Sequence, residues 1–121
     1  MAILLREPDN QAFLDVMGRT TRVLMGAPTR FELDMVATGK LPDGGVLLAE
    51  RLVEAQQIEV MDWDADLAEI ATSAFLRYGK GRHPAKLNFG DCMAYALAKS
   101  LGAPLLYKGD DFAQTDIRSA L

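Results

Sequence analysis

Leu87-Asn88-Phe89-Gly90-Asp91-Cys92-Met93-Ala94-Tyr95-Ala96-Leu97-Ala98 is the stretch on which the reading of this chain turns. Asn88 is a good helix N-cap, and Asp91 stands three residues on, where an acid suits the first turn. Apolar residues then recur at helical spacing, and Gly102 supplies a stop. The pattern predicts a helix from Phe89 to Ser100. Before it, Gly79 to Leu87 reads as a loop rich in glycine and basic groups. After it, Pro104-Leu105-Leu106-Tyr107 reads as a short buried strand, and Gly109 to Phe112 as a tight turn.

Working outward, short apolar runs alternate with helical patterns. Ile3-Leu4-Leu5 is apolar and is closed by Pro8, and Asp9 is placed to cap a helix to about Arg19. Arg22-Val23-Leu24-Met25 predicts a strand. Pro28 suits the first turn of a helix running to about Thr38, with Gly39 as its end. A turn at Leu41–Gly45 leads to a helix from Gly45 to Gln56, and Ile58-Glu59-Val60-Met61 alternates as a strand. Asp64 caps a further helix to Tyr78. Strands alternating with helices predict an α/β domain with a parallel sheet.

The bulk numbers set limits. At 121 residues, half of them hydrophobic and a quarter charged, the chain has the size and composition of one globular domain over residues 1–121. A net charge of −4 means that any nucleic-acid contact must come from a local patch or a bound metal. Cys92 is the one cysteine, so no internal disulfide forms; its apolar neighbours at helical spacing predict a core position. No signal peptide and no membrane-length apolar run is visible, so the expected location is the cytoplasm and no membrane is involved.

Position sorts the 17 acids better than number does. In an open α/β sheet, ligands sit beyond the carboxyl ends of strands. Glu32 lies in the helix after the first strand, Asp91 in the first turn of the helix after the basic loop, and Asp110 and Asp111 directly after the last strand. Carboxylates that converge from separate elements repel unless a cation holds them, and hard oxygen donors favour Mg²⁺ or Mn²⁺. Each also has a plainer reading: Asp91 as a helix-dipole acid, Glu32 as a solvated helix residue, Asp110 as a turn residue. Lys80, Arg82 and Lys86 form the one concentrated basic patch, suited to phosphate contact or to an acidic partner. His83 is not expected to act as a base.

The block Arg77–Ala98 resembles the signature of the VapC toxins, which are PIN-domain ribonucleases. Pro104–Phe112 with Thr115-Asp116-Ile117 is similar to their final strand and turn, and Ala27-Pro28-Thr29-Arg30-Phe31-Glu32 to the segment carrying their second acid. The resemblance implies a PIN-like three-layer fold, a parallel sheet flanked by helices. It implies a Mg²⁺- or Mn²⁺-dependent endoribonuclease of a VapBC-type toxin–antitoxin system that hydrolyses RNA with a metal-activated water. It further implies a VapB-like antitoxin partner and a homodimer. Glu32, Asp91 and Asp110 fall on the family's acids, with Asp111 ranked below Asp110.

One departure stands out. In the family a central first strand ending in Asp precedes the first helix, whereas Met1 stands where that helix begins. The first strand and its acid are therefore expected to be missing, through either an upstream start codon or a truncated gene. A truncated product would be an inactive PIN module that binds an antitoxin or another partner without cleaving RNA. The DNA just upstream of Met1 separates the two.

Overall fold

A computed structural model describes residues 10–107 and 109–121. The expected Ile3–Leu5 run, the Asp9 cap, the missing first strand and Lys108 lie outside the described residues. The chain divides into two compact units, one running to Met61 with Leu121, the other Asp62–Ala120.

The first unit contains α1 (Asn10–Arg19), β1 (Val23–Gly26), α2 (Ala27–Lys40), α3 (Gly45–Ala55) and β2 (Ile58–Met61). β1 and β2 pair in parallel from Val23↔Ile58 to Gly26↔Met61, with α2 and α3 forming the crossover between them. The expected parallel pairing is present, and among the described residues the named ladder has these two strands. At its edge the exposed Arg22 and Glu59 form a two-pronged ion pair, 2.8 and 3.1 Å.

Gly39 does not end α2. The helix runs on to Lys40, and the Leu41 N–H still reaches the Ala37 carbonyl at 2.8 Å. The left-handed residue of this turn is Gly44, at φ +96°. Gly45 is required for a different reason: a Cβ there would lie 2.3 Å from the Ala37 carbonyl oxygen. Ala37 and Ala49 are wholly buried, so small residues let α2 and α3 approach closely.

The second unit pairs α4 (Ala65–Tyr78) with α5 (Phe89–Leu101), followed by a 3₁₀ turn at Phe112–Gln114. Asp64 caps α4 by accepting from the Leu67 N–H at 2.9 Å, as its sequence position indicates. Gly102 ends α5 in the left-handed conformation. The core joins Ala71, Ala74 and Tyr78 of α4 to Cys92, Tyr95 and Ala96 of α5, with Ala85, Leu87 and Phe112 from the connections. Cys92 is thus buried in the core, as expected.

Pro104–Tyr107 is not a strand. It makes one isolated parallel bridge, Leu105 with Ser119, in which the Leu105 N–H donates to Arg118 and the Ala120 N–H donates to Leu105. Pro104 has no N–H to extend a ladder. The apolar run packs through its side chains instead, with Leu105 and Tyr107 against the core.

Leu87 is fully buried and its backbone closes the basic loop, so Leu87→Ala should act on both. A loss of about 2–5 kcal/mol is expected from the cavity. Urea unfolding followed by circular dichroism measures it; a loss below about 1 kcal/mol would contradict the role given to Leu87.

Candidate active site

The loop between α4 and α5 is built to a fixed shape. The Lys80 N–H donates to the Leu87 carbonyl and the Leu87 N–H to the Tyr78 carbonyl, both at 3.0 Å. Gly79 makes the neck possible, since a Cβ there would stand 2.4 Å from the Phe75 carbonyl oxygen and 2.5 Å from the Phe75 ring. Inside the loop, His83 Nδ1 accepts from the Ala85 N–H at 3.0 Å, and its ring meets Tyr78 edge-on at 5.1 Å. A histidine held this way is a loop brace. Lys80, Arg82 and Lys86 are all exposed, and Arg82 lies 5.4 Å from the Phe75 ring centre. The closed neck therefore presents three cations on a short arc.

Directly after this loop α5 begins with a complete capping box. Asn88 Oδ1 accepts from the Asp91 N–H at 2.9 Å, and Asp91 Oδ2 accepts from the Asn88 N–H at 3.1 Å. Both readings of Asp91 meet here. The cap bond favours its ionised form, but burial opposes ionisation more strongly, and the charge of Asp111 adds to that opposition. The Asp91 carboxyl is therefore held above the usual carboxylate range. By linkage its ionisation costs stability: the benefit of the protonated group is present below the ordinary carboxylate value and is lost as pH rises through the raised one.

Asp110 and Asp111 are both exposed in the turn before Phe112, and the charge of Asp111 is among the causes that oppose ionisation of Asp91. Glu32 is exposed on α2 and belongs to the other unit. Among the described residues no group of three or more His, Cys, Asp or Glu side chains gathers closely enough to hold a metal ion by itself. Two carboxylates nonetheless suit Mg²⁺, which keeps several waters and is commonly bound through one or two acids. A cation would relieve the opposition that Asp111 adds to the charge of Asp91.

Asp116 carries a network that residue-type reasoning did not assign. Tyr95 Oη donates to Asp116 Oδ1 at 2.5 Å, and Lys99 Nζ donates to Oδ2 at 2.7 Å. The Lys99 bond, then that of Tyr95, holds the Asp116 carboxyl below the usual range. Burial first, and then Asp116, pushes the Tyr95 phenol well up. The four-residue spacing of Asp91, Tyr95 and Lys99 puts them on one side of α5, and this was the signal available in the sequence. A groove of about 420 Å³ opens beside this network and is not lined by Asp91. Its cations Arg77 and Lys99 are balanced by Glu69 and Asp116, so it lacks the positive sign a phosphate site needs.

The chain matches the PIN domain over residues 1–118. It is 40% identical over 121 residues to ribonuclease VapC42 of Mycobacterium tuberculosis, covering 99% of this chain and 92% of that protein. It is 37% identical over 117 residues to ribonuclease VapC30 of the same organism, covering 97% and 89%. A ribonuclease VapC of Mycolicibacterium smegmatis is likewise 37% identical over 117 residues, covering 97% and 91%.

The Asp116 carboxylate contributes stability that is complete above the ordinary carboxylate value and is lost as pH falls through its lowered one. Its side chain is 32% exposed, so Asp116→Asn should cost no more than about 1 kcal/mol at neutral pH. The gap to the wild type should close in acid, below roughly pH 4. Thermal melts across pH test this; a gap that widens in acid would contradict it.

Proposed function

The chain belongs to the PIN-domain family, and from that premise we propose that it is a VapC-type endoribonuclease toxin that hydrolyses RNA phosphodiesters with the help of Mg²⁺ or Mn²⁺. The observation that carries the reading is the setting of Asp91. It is a half-buried carboxylate at a helix start, opposed by the charge of Asp111 and preceded by an arc of three exposed cations.

Each residue has a task in this proposal. Asp91 and Asp111, with Asp110, are the oxygen donors for the cation. When bound, the cation offsets phosphate charge and acidifies water. The capping box fixes the aim of Asp91, because Oδ2 is tied to the Asn88 N–H. Lys80, Arg82 and Lys86 hold the RNA backbone through charge, without reading its sequence. The reading places the protein with its RNA in the cytoplasm; no helix among the described residues is long and apolar enough to cross a membrane.

A VapB-like antitoxin and a second copy of the chain are the protein partners proposed. The first unit exposes Phe31 and Met35 on α2 and Val46, Leu47 and Leu48 on α3, which is the apolar surface such contacts need. The rival reading is a module that binds its partner without cleaving RNA.

Two outcomes are expected. Asp91→Asn should lower Mg²⁺-dependent RNA cleavage about 100-fold or more, and should abolish any rise in melting temperature on adding Mg²⁺. Unchanged cleavage would sink the proposal, and antitoxin binding with no Mg²⁺ heat in titration calorimetry would favour the rival. Lys80→Ala, Arg82→Ala and Lys86→Ala should each weaken RNA binding across sequences and reduce the slope of log affinity against log salt by about 0.7. A slope unchanged in all three would remove the loop from the interface.

A further inference from the structure

Phe89 is the first residue of α5, two positions before Asp91 and two after Leu87. Leu87 is wholly buried, and Cys92 is 5% exposed, yet Phe89 is 77% exposed, the highest value of any large apolar side chain among the described residues. Leaving a phenylalanine in water forfeits most of the stabilisation that burying it would bring. The first turn of a helix accepts polar residues readily, so the fold has no need of an aromatic there.

The surroundings give the ring a use. Lys80, Arg82 and Lys86 stand on the loop that leads into it. The other exposed aromatic of this region, Phe75, has the Arg82 guanidinium over its ring. Among the described residues no ring or cation packs on Phe89. An open aromatic face beside exposed cations is the combination that holds single-stranded nucleic acid, with charge gripping the backbone and the ring taking a base.

We propose that Phe89 is a stacking platform for an unpaired RNA base beside the phosphate that Asp91 serves. The inference rests on the ribonuclease reading and deepens it, because it names the residue that positions the strand. Stacking accepts any base, so Phe89 sets the position of the strand and not its sequence. The cations then fix where the backbone runs, and the ring fixes which nucleotide stops at Asp91.

The test uses the full chain with Phe89→Ala, Phe89→Leu and Phe89→Tyr. Binding of a fluorescein-labelled short single-stranded RNA of mixed sequence is read by anisotropy in EDTA. The same RNA is then used with one abasic nucleotide moved along it, and light scattering reports oligomeric state. Phe89→Ala and Phe89→Leu should bind about tenfold more weakly, while Phe89→Tyr stays close to the wild type. One abasic position should erase the difference between wild type and Phe89→Ala, because both then lack the same stack.

The proposal is overturned if Phe89→Leu equals the wild type, which would make the contact merely apolar; if the Phe89→Ala loss is the same on every abasic RNA; or if Phe89→Ala changes only the oligomeric state, which would give the ring to a second copy of the chain. A wild type that cleaves RNA alongside a Phe89→Ala that binds it equally well rejects the platform alone. A wild type that neither binds nor cleaves RNA in Mg²⁺ or Mn²⁺ rejects the ribonuclease reading with it.

Discussion

The reciprocal bond between Asn88 and Asp91 is the constraint on which the second unit's chemistry depends. It satisfies two of the backbone N–H groups that every helix start leaves without a partner in the helix. In doing so it spends one carboxylate oxygen of Asp91 on the fold and fixes the direction of the whole group. The group stands where burial and Asp111 both oppose the negative charge. A carboxylate that is anchored, half-buried and crowded by like charge is disposed to accept a cation. Under the proposed ribonuclease reading, the structural and functional roles of Asp91 are one arrangement.

Around that bond the packing is arranged to keep the loop and helix start still. Leu87, wholly buried, and its two backbone bonds close the neck of the loop; Gly79 lets the chain pass within reach of Phe75; and His83 braces the interior. Cations on a mobile loop would lose ordering entropy each time they bound a phosphate. Cations on a closed arc lose less. Further along α5, Asp116 is occupied by Tyr95 and Lys99, so its charge is neutralised within the fold. It is matched with a cation of the protein's own, Lys99.

The first unit depends on small residues. Gly45, Ala37 and Ala49 bring α2 and α3 into close contact, and that pair forms the crossover between two parallel strands. With its small residues turned inward, the pair leaves Phe31, Met35, Val46, Leu47 and Leu48 exposed. Close packing inside and an apolar exterior follow from the same distribution of side-chain sizes.

The sequence by itself determined what is local. The Asn88–Asp91 box, the Asp64 cap and the Gly102 stop involve residues three or four apart, and each was legible and is present. The parallel pairing of the Val23 and Ile58 runs, the core position of Cys92 and the family itself were legible too, because apolar spacing and a long specific block carry them. Tertiary structure decided the rest. Gly39 looked like a stop, but Gly44 took the left-handed conformation. Pro104–Tyr107 looked like a strand, but a ladder needs a neighbour in register and this segment found a single bridging pair. Asp111 lies twenty residues from Asp91 in the chain, and only the fold brings its charge to bear there. A cap is a bond within one turn of chain; a site is a meeting of carboxylates far apart in the chain, and only the packed fold sets which of them meet.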